Sequence, residues 1–192
     1  MNETSTLKNL LSEEELAWFT GRGIDIGCGR DPVTPDCRKF DRVDGDAGDI
    51  GKYVRDTFDW VYSSHCLEHL AEPETALAGW WKLVRKGGLL IVVVPDEDLY
   101  EQGHVRRFNR AHRHTFTISK RKSWSETSIN VLDLIKTLPN AEVVKVELQD
   151  IGIDRRRLTF ASPAACDFTA GNAVAQIMFV LRKTLDDAKP GA

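Results

Sequence analysis

The chain reads as a single α/β domain built on a doubly wound, mainly parallel sheet with an antiparallel C-terminal strand, and three observations predict it. Leu89 to Val94 is continuously apolar and closed by Pro95, as a strand covered on both faces must be. It follows a helix-period segment and an alternating strand, Phe58 to Ser63, so strands and helices interleave as they do around a parallel sheet. A short strand at 22–26 runs straight into a tight turn, Gly27-Cys28-Gly29, whose glycines can take backbone angles that a Cβ forbids and can bring N–H groups close to a ligand. At 192 residues the chain fits one domain, 1–192, with a single well-buried core.

The elements follow in order. Ser12-Glu13-Glu14-Glu15 is a capping box, a hydroxyl at the N-cap and a carboxylate three residues on, opening a short helix that Gly21 ends after Phe19. Pro73 suits the first turn of a second helix, where Leu77, Trp80, Trp81 and Val84 recur at helical spacing until Gly87-Gly88 stops them. Trp80-Trp81 and Val92-Val93-Val94 are read as core. Ile129, Leu132, Ile135 and Leu138 predict an amphipathic helix from Ser125 to Leu138, ended by Pro139. Ala141 to Leu148 and Val174 to Leu181 are β-rich and read as a closing strand pair, while 149–172, with Gly152, Pro163 and Gly171, reads as a loop excursion.

Composition narrows the class. With 42% hydrophobic and 29% charged residues the chain is ordinary for a soluble globular protein, and its longest apolar run is far too short to cross a bilayer. The N-terminus shows no secretory pattern, so a cytoplasmic protein without a membrane partner is expected. Cys28, Cys37, Cys66 and Cys166 form no CxxC pair and no zinc-ligand spacing, and are read as free thiols. Net charge is only −3, which argues against a nucleic-acid partner, yet residues 104–122 hold seven Lys or Arg, three His and no acid. That run reads either as a lid over an acceptor pocket, its Arg and Lys gripping phosphate or carboxylate, or as a solvated loop. Arg155-Arg156-Arg157 adds to the same anionic site or lies on an exposed loop. The sequence carries no signal for an oligomeric state.

The glycine turn excludes two common nucleotide sites. A dinucleotide fingerprint requires a third glycine where this chain has Pro32 and a helix starting at the turn, which Asp31-Pro32-Val33-Thr34-Pro35 forbids. A phosphate-binding P-loop requires Gly-Lys-Ser or Gly-Lys-Thr, which does not follow.

Four segments in order instead give the chain a family likeness: Asp25-Ile26-Gly27-Cys28-Gly29; Phe58 to His65; Cys66-Leu67-Glu68-His69-Leu70 with Glu72-Pro73; and Leu83-Val84-Arg85-Lys86-Gly87-Gly88 with the apolar strand to Pro95. Across residues 22–95 the sequence resembles the class I S-adenosylmethionine (SAM) methyltransferases, in particular those with a type 11 methyltransferase domain. His112 to Thr117 looks like a further element of that group. The resemblance implies a Rossmann-like methyltransferase fold, SAM as cofactor, and methyl transfer to an O or N acceptor, read here as a small anionic or glycan-linked molecule. It implies that Asp25, Gly27, Cys28 and Gly29 cradle the amino-acid end of SAM, with Ser64 nearby. Asp41, after Arg38-Lys39-Phe40, then takes the ribose hydroxyls, and Asp46-Ala47 lies along the adenine. The chain departs from the family's spacing: eleven residues separate Gly29 from Asp41 and four separate Asp41 from Asp46, so the usual helix after the turn is cut out. Asp41, Asp44 and Asp46 therefore share the cofactor roles or act as polar turn residues.

Methyl transfer from a sulfonium needs alignment and, for some acceptors, a base. His65, at the carboxyl end of a central strand where open α/β sheets place ligands, is the first candidate for base or orienting residue, and His69 the second; the alternative for His65 is a structural ring whose backbone lines the pocket. His65, Glu68 and His69 fall on one helical face. Some relatives bind a divalent metal through a Glu-x-x-Glu-His segment at this place, and here the further ligand would come from His112 or His114; the competing reading, adopted here, is that Glu68 and His69 only tie the turn to neighbouring loops, with no metal. A third reading is a non-catalytic SAM-binding or scaffold protein of the same fold.

Overall fold

The structure, a computed structural model, describes residue 4 and residues 8–162, 165–170 and 173–184. Its chain order is α1 (Glu13–Leu16), β1 (Gly23–Ile26), β2 (Arg38–Phe40), β3 (Phe58–Ser64), α2 (Pro73–Leu83), β4 (Val84–Pro95), β5 (Thr115–Thr117), β6 (Ser128–Asn130), α3 (Val131–Lys136), β7 (Ala141–Gln149) and β8 (Gln176–Lys183). Six strands make one sheet in the order β2-β1-β3-β4-β8-β7, and β5 and β6 pair separately. The first four strands of the sheet run parallel; β8 lies antiparallel between β4 and β7. The predicted mixed sheet, with its closing strand pair, is the one observed.

Period-two alternation along β4 explains why its run is apolar throughout. Leu90, Val92 and Val94 point into a large cluster with Leu77, Trp80 and Phe179, while Leu89, Ile91 and Val93 point into a smaller one with Trp60, Tyr62 and Val180. The large cluster is roofed by α2 and α3. On the smaller side the described cover is the N-terminal turn and the loop after β1, with Leu11, Trp18, Phe19 and Val33; Phe19 stands edge-on to Trp60 at 5.2 Å and to Tyr62 at 5.6 Å. The N-terminal turn is set by the predicted capping box: Ser12 Oγ accepts from the Glu15 N–H, and the Glu15 carboxylate accepts from the Ser12 N–H.

Two expectations change. The helix predicted from Ser125 to Leu138 is only α3, because the Asn130 side chain accepts from the N–H groups of Leu132 and Asp133 and so caps the helix there. Residues 128–130 instead pair with β5, and Ser128 Oγ donates to Glu97 at 2.5 Å. The apolar period survived because Ile129 still packs on the core from a strand. In the excursion at 149–172, Arg155 pairs with Asp150, Arg156 with Asp154, and Arg157 stacks over Phe168, so the three arginines are used locally. Pro163 and Gly171 lie outside the described residues.

Candidate active site

A cavity of about 770 Å³ opens at the carboxyl ends of β1, β2 and β3, where open α/β sheets bind ligands. Its floor is the glycine turn. Gly27, at φ 79°, donates its N–H to the Phe40 carbonyl at 2.7 Å and so locks the tip of β1 to that of β2. A Cβ there would sit 2.8 Å from the Cys66 Cβ, so the position needs glycine for space as well as for angle. No helix follows the turn, as Pro32 and Pro35 predicted; the loop is held by Asp25, whose carboxylate accepts the Val33 N–H at 2.7 Å. Burial pushes the Asp25 carboxyl up to about 7 despite that hydrogen bond.

Strand β2 is three residues long, yet it delivers Asp41 to the cavity wall beside Gly27. Asp44 accepts the Asp41 N–H at 2.9 Å and is a turn residue. Asp46 accepts the Gly48 N–H at 2.8 Å, and the Ala47 carbonyl accepts the indole N–H of Trp80, so the Asp46-Ala47 wall is anchored to α2. Tyr53, which the sequence reading missed, completes this wall; its ring lies so close to Gly45 that a Cβ there would meet it at 2.7 Å. Of the residues expected at the cofactor, Gly27, Asp41, Asp46 and Ala47 line the cavity; Asp25, Cys28, Gly29 and Ser64 stand behind or beside it. Cys66 also lines it, but burial pushes its thiol up to about 12, which keeps it protonated and chemically quiet.

Both candidate histidines reach the cavity. His65 leaves β3 in the left-handed region, φ 49°, its N–H held by the Val93 carbonyl at 3.0 Å. Its ring is oriented by a directional chain of amides. Gln149 donates to the Glu147 carboxylate, Gln176 donates to the Gln149 carbonyl oxygen at 2.7 Å, and the Gln176 oxygen therefore accepts from His65 Nε2 at 3.0 Å. Nδ1 faces Glu68, 3.6 Å from Oε1. Glu68 is fully buried, and His69 Nε2 and His112 Nε2 each stand 3.8 Å from the same oxygen. Burial pushes the Glu68 carboxyl up, but the three imidazoles outweigh it and leave the group below its ordinary value. The carbonyl of Glu68 accepts the N–H groups of Arg113 and His114, which is how a segment more than forty residues downstream joins the site.

Next to the cofactor cavity lies a second cleft of about 630 Å³, lined by Arg42, Arg106, Arg110, Arg113, His69 and His114 with two alanines. Arg42, His69, Ala71 and Arg113 belong to both spaces. The basic run thus splits in two: its first half faces this cleft, while Lys120 is bound by Glu97 and Asp98 on another side.

With this geometry in place, comparison with known proteins is informative. Residues 30–92 match the methyltransferase domain family. Similar folds include SAM-dependent methyltransferases from Archaeoglobus fulgidus (16% identity, TM-score 0.58, 95% of this chain and 95% of that one) and from Thermotoga maritima (20% identity, TM-score 0.55, 95% and 88%). The N-methyltransferase NodS from Bradyrhizobium japonicum is another (14%, TM-score 0.50, 95% and 94%). No curated protein sequence matches the chain. Residues 30–92 thus carry a likeness to the methyltransferase domain family, and the chain has the fold of the SAM-dependent methyltransferases. The cofactor of that family is SAM and its chemistry is methyl transfer. The cavity fits SAM: Gly27 leaves the floor open, Asp41 can accept two hydroxyl hydrogens, and Tyr53, Ala47 and Leu70 offer a weakly polar wall for a flat ring. No helix among the described residues is long and apolar enough to cross a membrane.

Proposed function

We propose that the protein methylates an oxygen or nitrogen of a small anionic or glycan-linked acceptor. The observation that carries this reading is the shared wall between the two spaces: a nucleoside-sized cavity with one carboxylate at its ribose end opens directly onto a cleft whose charged groups are all basic. Bound SAM supplies a methyl on a positively charged sulfur, so the leaving group is neutral. The chain's own task is positioning. Asp41 holds the ribose, Asp46-Ala47 and Tyr53 flank the adenine, and Arg106, Arg110 and Arg113 hold the acceptor's anionic group under segment 96–124. His65 keeps Nε2–H in the amide chain, so a proton leaving the acceptor goes to Nδ1, where the Glu68 charge stabilises the imidazolium.

The reading is tested with methyl-labelled SAM and matched acceptor pairs, phosphorylated or carboxylated against uncharged. Label is expected on the anionic members; a consistent preference for neutral ones would overturn the acceptor class. His65→Ala should lower turnover far more than SAM affinity. Equal losses in both would reduce His65 to pocket structure.

A further inference from the structure

The geometry points to a divalent metal site formed by Glu68, His69 and His112 on the wall between the cofactor cavity and the basic cleft. One carboxylate oxygen and two imidazole nitrogens here all lie within 4.8 Å of one another. Of the candidates read from sequence, Glu68, His69 and His112 converge, while His65 stands outside the trio and His114 turns away to the Ala71 carbonyl.

Three features make this more than a convergence of polar groups. Both oxygens of Glu68 are buried without a hydrogen-bond partner, and the imidazole nitrogens at 3.6 to 3.8 Å stand too far off to serve as donors. His112 is pinned from behind: the Glu101 carboxylate, an acceptor only, takes its Nδ1–H at 2.6 Å, so Nε2 is the ring nitrogen turned toward the Glu68 carboxylate. Finally, a buried carboxylate behind a histidine is the arrangement that fixes the tautomer of a metal-bound imidazole.

In a tetrahedral site with metal–ligand bonds of about 2.0–2.1 Å, donor atoms lie about 3.3 Å apart. The observed 3.8 Å from Glu68 to each histidine is about half an ångström longer than that, and the two histidine nitrogens lie within 4.8 Å of each other. Two imidazoles and one carboxylate suit a borderline first-row ion such as Zn²⁺ or Co²⁺ better than Mg²⁺ or Ca²⁺. Three protein ligands leave a coordination position for an exogenous oxygen or nitrogen, and His69, which lines both spaces, puts the ion between cofactor and acceptor. The site goes beyond the methyl-transfer reading and does not depend on the acceptor's identity.

The test uses the full chain freed of metal by chelator and dialysis. Co²⁺ is titrated with visible absorption as readout and Zn²⁺ by calorimetry, with S-adenosylhomocysteine binding measured on the same samples. One equivalent of Co²⁺ is expected to give ligand-field bands between 500 and 700 nm, as expected of roughly tetrahedral N/O coordination at about four ligands. His69→Ala and His112→Ala should each abolish the bands or weaken binding at least about 100-fold, and Glu101→Gln should weaken it about 10-fold. Should His112→Ala fail to fold, the less buried His69 carries the test. A chain that binds S-adenosylhomocysteine but neither Co²⁺ nor Zn²⁺, or bands that persist in His69→Ala, would sink the metal site alone. Metal binding without S-adenosylhomocysteine binding would leave the site standing and remove the cofactor reading.

Discussion

Glu97 and Glu68 are both fully buried carboxylates, one at the start of the segment after β4 and the other just after β3, and their surroundings are opposite. Glu97 accepts from Thr115 Oγ1, Lys120 Nζ, Ser123 Oγ and Ser128 Oγ, all between 2.5 and 3.1 Å. Glu68 has imidazoles on three sides and a hydrogen bond from none. A buried charge is tolerated when donors replace its water, and Glu97 uses that requirement to gather β5, β6 and the loop between them into one unit. Glu68 is held in place by its backbone, through Arg113 and His114, while its side chain is left for something else. The same division separates Asp25, spent on the Val33 N–H behind the glycine turn, from Asp41, which faces the cavity. Acids that build the fold are saturated from within; acids that serve a ligand are presented to a space.

Substitutions break or sharpen this division. The largest effect is expected for Glu97→Ala, which strands three hydroxyls and leaves the Lys120 ammonium to Asp98 alone, and should cost about 3–5 kcal/mol in denaturant unfolding; a loss below about 1 kcal/mol would mean that Glu97 organises nothing. Asp25 comes next, through pH. Its folded pKa, about 7, is raised above the ordinary 3.8, so its contribution is complete below pH 4 and is lost as pH rises to 7. The unfolding free energy of Asp25→Asn relative to wild type should therefore improve by about 3–4 kcal/mol between pH 4 and 8, since each pKa unit is worth about 1.4 kcal/mol; parallel curves would place an ionised Asp25 in both states. Asp41→Ala should leave the unfolding midpoint alone and weaken SAM binding about 10- to 100-fold, or about 1.4–2.7 kcal/mol. Unchanged calorimetric affinity would move the ribose contact elsewhere. Glu68→Gln should change the unfolding free energy by less than about 1 kcal/mol, because no hydrogen bond is deleted. A loss as large as that of Glu97→Ala would erase the contrast.

How much of this was legible beforehand depends on sequence distance. The capping box, the glycine turn, the missing helix after it and the start of α2 are set by neighbours a few residues apart and are found where the sequence placed them, whereas α2 stops at Leu83 and Val84 to Gly88, read as the end of the helix and its stop, already belong to β4. The helix at 125–138 was overread because a period of three fits a strand-plus-cap as well as a helix, and the groups that decide, Glu97 with Ser128, are 31 residues apart. The site behaves alike. His65, His69, Asp41 and Asp46-Ala47 could be named from motif and family likeness, whereas Tyr53, Arg42 and the Gln176-Gln149-Glu147 chain carry no local signature. His112 could be named only as one of two alternatives, with His114, for a further ligand.

By itself, then, the sequence determined most of the elements, the parallel sheet with its antiparallel end and the glycine turn at the mouth of β1, since backbone angles, helical period and caps are local properties. Tertiary structure alone decided which of the carboxylates would be saturated and which presented. It also decided that the first half of the basic run faces a cleft and that His112 and Glu101 stand behind Glu68. Those outcomes rest on burial and hydrogen-bond partners brought together across tens of residues, and no local pattern encodes them.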